Sequence, residues 1–121
     1  MQVQIYHHPR CSKSRETLKL LHYLGIEPEV ILYLQDIPDI ETLRTLYRQL
    51  GFHDVRDMMR RKDALYKALK IEDQEYEKES CLSLLTQYPQ LLERPIVVYG
   101  DKAKLGRPPE QVLTLFSALK P

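Results

Sequence analysis

A single cysteine stands between a short apolar run and an amphipathic segment, in the stretch Ile5-Tyr6-His7-His8-Pro9-Arg10-Cys11-Ser12-Lys13-Ser14-Arg15. A turn there delivers a thiol to the mouth of a helix, beside basic side chains. Amide dipoles and nearby cations favour the thiolate and lower a thiol's pKa. The unpaired N–H groups of a first helical turn can also grip an oxyanion. One loop can therefore supply a nucleophile and a cradle for a small anion. Cysteines commonly fill space in cores instead, but Arg10, Ser12 and Lys13 make poor company for an apolar pocket.

Other residues bear on that thiol. His7 falls at the end of the first strand signal. A protonated imidazole there would favour the thiolate; a histidine that merely fills a strand end is the other reading. Ser14 falls in the first helical turn, where its hydroxyl could donate to the sulfur or simply serve a helix start. Arg94 stands just before Pro95, Arg107 just after a hairpin signal, and Arg60 lies in Met58-Met59-Arg60-Arg61-Lys62. Single arginines are usually solvated charges. Three that converged on one thiol would suit a multiply charged oxyanion, which guanidinium matches bidentately. The second cysteine, Cys81, sits at helical spacing from Leu84 and Leu85, which marks it as a core residue. No His, Cys and carboxylate spacing matches a metal site.

The elements that must position these groups follow from periodicity. Val3-Gln4-Ile5-Tyr6-His7 alternates as a strand, stopped by Pro9. Leu18, Leu21 and Leu24, joined by Leu20, predict a helix from Ser12 to about Leu24, closed by Gly25. After Pro28, the run Val30-Ile31-Leu32-Tyr33-Leu34 predicts a strand buried on both faces, parallel to the first. Asp39 caps a helix striped by Leu43, Leu46, Tyr47 and Leu50 and ended by Gly51. Asp54 starts a second with Val55, Met58 and Met59, Leu65 and Leu69 mark a third, and Cys81, Leu84 and Leu85 a fourth. The stretch Glu72-Asp73-Gln74-Glu75-Tyr76-Glu77-Lys78-Glu79 reads as a solvated face plus a helix start.

Residues 35–90 carry no strand signal. Ile96-Val97-Val98-Tyr99, the turn Gly100-Asp101 and Lys102-Ala103-Lys104-Leu105-Gly106 then predict a hairpin. Pro108-Pro109-Glu110 opens a last helix striped by Val112, Phe116 and Leu119. The fold class is α/β: a thioredoxin-like fold, βαβ…ββα on one mixed sheet, with a helical insertion at about 36–90 of a single domain spanning 1–121.

Bulk properties narrow the function. A chain of 121 residues with 43% hydrophobic and 29% charged content reads as one globular domain. A net charge of +1 argues against a dedicated nucleic-acid surface and against electrostatic membrane binding. No apolar run approaches a membrane span and no secretory signal is visible. Two cysteines are too few for a disulfide framework, so a reducing, cytoplasmic setting is expected. Dithiol members of this fold place a second cysteine three residues after the first, where this chain has Ser14. An oxidised Cys11 must then be reduced by an outside thiol or by Cys81, and the core-like spacing of Cys81 favours the former.

The sequence resembles the arsenate reductase family of the glutaredoxin-coupled, ArsC type. The resemblance rests on Ile5-Tyr6-His7 with Pro9-x-Cys11-x-x-Ser14-Arg15, Glu27-Pro28 before Tyr33-Leu34, Leu50-Gly51, Val55-Arg56 with Arg60, Arg94-Pro95-Ile96-Val97-Val98, and Arg107-Pro108. It is most similar to the short arsenate reductase-like members. The resemblance implies that Cys11 is the nucleophile, that Arg60, Arg94 and Arg107 hold the oxyanion, that His7 tunes the thiol, and that Ser14 stabilises the thiolate. It implies a cis Arg94–Pro95 bond, arsenate as substrate, glutathione as co-substrate, glutaredoxin as partner, no bound cofactor and a monomer. Some members carry a cysteine where this chain has Gly106, so no thiol can act there. Two alternatives remain open at this level. One is a non-catalytic module like the Spx-type regulators, although Ser14 replaces their second loop cysteine. The other is a glutathione-linked thiol oxidoreductase with a different substrate.

Overall fold

A computed structural model describes residues 2–73 and 77–119, with main chain alone at 118 and 119. The chain divides into two compact units, one formed by residues 1–36 and 94–121, the other by 37–93. Among the described residues no helix is long and apolar enough to cross a membrane.

The first unit is built on a four-stranded sheet in the order β2-β1-β3-β4. Strand β1 (Val3–Tyr6) leads to helix α1 (Ser12–Tyr23) and on to β2 (Glu29–Ile31), which pairs parallel to β1. Strands β3 (Ile96–Tyr99) and β4 (Lys102–Leu105) form the expected hairpin, with β3 antiparallel to β1 in the register Tyr6 opposite Ile96. This is the thioredoxin-like βαβ…ββα arrangement on a mixed sheet. Val3, Ile5, Leu21, Val97, Val112 and Phe116 form the core of the unit. The Tyr99 and Phe116 rings meet at 5.3 Å between centroids, tilted by 46°, a geometry aromatic quadrupoles favour.

Three local expectations are corrected. The second strand is not a doubly buried run over 30–34. It covers three residues at a sheet edge, Val30 is 42% exposed, and Tyr33 alone of the run is fully buried. An edge strand is paired on one side only, and here the chain turns out of it at once: the Gln35 and Asp36 N–H groups both donate to Leu32 O, at 2.9 and 2.8 Å. In α1 the buried face is Ser14, Thr17 and Leu21, while Leu24 is exposed. The last helix is a 3-10 helix over Pro109–Leu119; it buries Val112 and Phe116, and the Leu119 side chain lies outside the described residues.

Among its described residues, the regular elements of the second unit are helices, apart from a bridge between Met59 and Leu92. Helix α2 (Ile40–Leu50) is capped by Asp39, whose carboxylate accepts from Thr42 N–H at 2.8 Å, and ends on Gly51 at φ 73°. That left-handed conformation is why a glycine closes the helix. Asp54 starts a short 3-10 helix, Val55–Met58, and Asp63 caps α3 (Ala64–Ala68). Tyr66, not Leu65 or Leu69, is the buried residue of α3. Helix α4 (Lys78–Gln87) buries Cys81, Leu82 and Leu85, with Leu84 only half-buried. Arg44 on α2 reaches Glu79 on α4 at 2.5 Å. Of the acidic stretch before α4, residues 74–76 lie outside the described residues.

Candidate active site

The thiol loop is held from both of its ends. The His7 N–H donates to Ile31 O at 2.9 Å, which extends the β1–β2 ladder by one residue. Two bonds at 3.0 Å then shape the turn. The Cys11 N–H donates to His8 O, and Arg15 reaches back from Nη1 to Pro9 O. Cys11 itself is the N-cap of α1, extended at φ −90° and ψ 124°. Its O accepts from Arg15 N–H at 3.0 Å, the first bond of the helix.

A helix N-cap usually carries an oxygen that accepts from the second and third helical amides. Here a sulfur stands in that place and closes no cap hydrogen bond, while the amides of Ser14 and Lys13 act on it electrostatically. The first turn of α1 holds no acidic residue to cancel their potential. Burial pushes the Cys11 thiol up, but four effects together outweigh it and hold its pKa below the ordinary value. These are the Ser14 N–H, the Arg94 side chain bonding to the sulfur, the Lys13 N–H and the Arg107 charge. The thiolate form is favoured by the fold.

Two arginines predicted from sequence meet the sulfur. Arg94 is buried, immediately before β3, and lies on a cis bond to Pro95, as the resemblance implied. Arg107 follows β4 and is half-buried; its Nη2 lies 3.7 Å from Cys11 Sγ, and its Nε donates to Arg94 O at 2.9 Å. A second cis bond joins Arg107 to Pro108. Arg60 belongs to the helical unit, where it pairs with Asp63 at 3.1 Å and donates from its main chain to Leu91 O at 2.7 Å.

The side chains of His7 and Ser14 bond to each other. His7 is buried, and burial, then the neighbouring charges of His8 and Arg15, press its pKa below the usual imidazole value. That direction favours the neutral imidazole over the cation that would attract a thiolate. The Ser14 hydroxyl is fully buried. It shares a 2.7 Å hydrogen bond with His7 Nδ1 and accepts from His8 N–H at 3.0 Å. What Ser14 lends the sulfur is its main-chain N–H, and what its hydroxyl lends is the shape of the loop. Cys81 is fully buried in the helical unit, and burial raises its pKa, as expected of a packing residue.

One contributor escaped the sequence reading. Thr17 is fully buried and donates from Oγ1 to Lys13 O at 2.8 Å. A Cβ added to Gly106 would stand 2.5 Å from Thr17 Oγ1 and 2.7 Å from Pro95 Cγ. Thr17 thus seats the first turn of α1 against the ends of β3 and β4. The signal was present: Ser14, Thr17 and Leu21 recur at i, i+3 and i+7, but two of the three are polar.

Known proteins resemble this chain along nearly its whole length. The ArsC family model matches residues 6–115. The arsenate reductase of Haemophilus influenzae is 49% identical over 115 residues, 95% of this chain and 99% of its own. An uncharacterized protein of Escherichia coli K12, YfgD, is 53% identical over 114 residues, 94% of this chain and 96% of its own. A solved structure of arsenate reductase from Vibrio cholerae superposes with a TM-score of 0.92 at 52% identity, covering 94% of this chain and 97% of that one.

Proposed function

The chain belongs to the ArsC family, and on that footing we propose that it is an arsenate reductase with Cys11 as its nucleophile. The observation that carries the proposal is a thiol of depressed pKa at the N-cap of α1 with Arg107 Nη2 3.7 Å from its sulfur and Arg94 beside it. Relatives named arsenate reductase, aligned over nearly the whole chain, support the substrate.

The Cys11 thiolate attacks arsenic(V) of bound arsenate. A sulfur–arsenic bond forms and one oxygen leaves as hydroxide, which takes a proton from solvent. Arg94 and Arg107 neutralise the anion and the charge that builds on its oxygens. Arg60 is assigned to the same anion on the family resemblance. A glutathione thiolate then attacks Cys11 Sγ. The sulfur–sulfur bond forms as the sulfur–arsenic bond breaks, and that bonding pair stays on arsenic. Arsenic falls to the trivalent state and leaves as arsenite, and the two sulfurs are oxidised to a mixed disulfide. A glutaredoxin thiolate attacks the glutathione sulfur and releases the Cys11 thiolate. No cofactor is needed.

Phosphate has nearly the shape and charge of arsenate, so binding discriminates poorly between them, and selectivity comes from the reducibility of arsenic. Because the described thiol, Arg94 and Arg107 come from one chain, a monomer suffices for this chemistry.

The test is arsenite production from arsenate with glutathione and glutaredoxin, comparing wild type with Cys11→Ser. Turnover that disappears in the variant supports the enzyme. No turnover in the wild type, with each thiol donor present, overturns the arsenate assignment.

A further inference from the structure

A cleft of about 400 Å³ opens beside the thiol loop, lined by His7, His8, Arg10, Leu32, Leu34 and Gln35. It lies at the carboxyl ends of the parallel strands β1 and β2, where open α/β sheets commonly receive ligands. We propose that this cleft is the seat of the attacking peptide thiol, with Arg10 as the contact for one of its carboxylates. The proposal rests on the reaction above and adds the direction from which the second thiol arrives.

Displacement at sulfur runs in line: the incoming thiolate approaches Cys11 Sγ on the side opposite the bond that breaks. The sheet order fixes those sides. At this end of the sheet, β1 delivers the thiol loop, β3 and β4 deliver Arg94 and Arg107 on one flank, and β2 closes the other flank. An oxyanion held by Arg94 and Arg107 sets the sulfur–arsenic bond toward β3 and β4. The attacking sulfur must then come from the β2 flank, and the cleft lies there.

The lining suits a short peptide with free carboxylates. Arg10 is exposed and its side chain has no hydrogen bond or ion pair among the described residues. Leu32 and Leu34 offer an apolar wall, with Leu34 38% exposed, and Gln35 offers an amide. The walls are preformed, because main-chain bonds hold both: His7 N–H to Ile31 O, and Gln35 N–H to Leu32 O, each at 2.9 Å. Reach is sufficient, since Arg10 is one residue, about 3.8 Å between Cα atoms, from Cys11, and a tripeptide extends roughly 10 Å.

The test uses the full chain and two probes that do not need arsenate. The first is S-methylglutathione, which binds without reacting, followed by amide NMR. Shifts concentrated at His8, Leu32 and Gln35 and lost in Arg10→Glu are expected; no shifts there overturn the proposal. The second is the rate at which Cys11 forms a mixed disulfide with glutathione disulfide, set against neutral hydroxyethyl disulfide. Arg10→Glu and Leu34→Asp are each expected to slow the glutathione reaction by about fivefold or more relative to the neutral one. Equal slowing of both disulfides, or of neither, overturns the proposal. A failure of arsenate turnover with these two results intact would instead remove the arsenate assignment and leave the thiol seat standing.

Discussion

Arg107 donates from Nε to the main-chain oxygen of Arg94 at 2.9 Å, so one arginine fixes the chain at the other while its own Nη2 faces Cys11. A guanidinium can do both because its five donors lie in one rigid plane. A lysine has its three donors on one nitrogen and lacks the fork that spans the carbonyl and the guest. Arg107→Lys is therefore expected to weaken sulfate or arsenate binding by about tenfold or more. Titration calorimetry checks this; affinity within twofold of wild type would remove Arg107 from the anion site.

The thiol is expected to react with iodoacetamide along a pH profile whose midpoint lies below that of free cysteine, because its pKa is depressed. Arg94→Ala and Arg107→Ala should each move the midpoint upward. Their larger effect should fall on anion affinity, since the Ser14 and Lys13 amides continue to act on the sulfur. A midpoint equal to that of free cysteine in the wild type would end the case for a stabilised thiolate.

Ser14→Ala removes a buried hydroxyl from His7 Nδ1 and His8 N–H but keeps the amide that acts on Cys11. Stability should fall by about 1–3 kcal/mol, the cost of leaving buried polar groups unpaired. The alkylation midpoint should move little. Denaturant melts and the pH profile together separate this from a hydroxyl acting on the sulfur, which would show as a large midpoint shift at small stability cost.

His7 gives a pH signature. Its folded pKa lies below the unfolded value, so between the two the unfolded chain binds more protons than the folded one. Stability therefore rises with pH in that window. The contribution of neutral His7 is fully present above the unfolded histidine pKa near 6.5 and is lost as pH falls toward the folded pKa. His7→Gln should flatten the slope of unfolding free energy against pH below about 6.5. An unchanged slope would mean that His7 is not held neutral by burial.

Gly106→Cys should not create a second redox thiol but should strain the fold. A Cβ there meets Thr17 Oγ1 and Pro95 Cγ well inside contact distance. Overpacking of this kind costs about 1–3 kcal/mol, so Tm should fall by about 5 °C or more. A melt unchanged from wild type would show that α1 can retreat from β4.

The parts of the site legible in the sequence were those written in local pattern. Cys11 announced itself by the turn before it and the helix after it. Asp39, Gly51 and the Gly100-Asp101 hairpin located their elements through backbone preferences that travel with the residue. Arg94 and Arg107 were visible because prolines and strand ends flank them. The charge of His7 was not legible, because it depends on desolvation by the folded core. Nor was the Ser14 hydroxyl's partner, because His7 and His8 approach it only through the turn. The β2 strand misled by composition: an apolar run predicts burial, but its edge position leaves Val30 in solvent. Thr17 was passed over because a polar side chain on a buried helix face looks like a break in the stripe.

On the proposed chemistry, with Ser14 where a partner sulfur would be and Cys81 sealed in its own hydrophobic packing, this protein does not reset itself once Cys11 is oxidised. On the proposed chemistry, its used form is a conjugate with a diffusible metabolite. How many copies stand ready at any moment is then decided outside the polypeptide, by how fast the surrounding thiol pool strips that conjugate away. A starved or oxidised cell would idle the protein without altering one of its bonds to substrate.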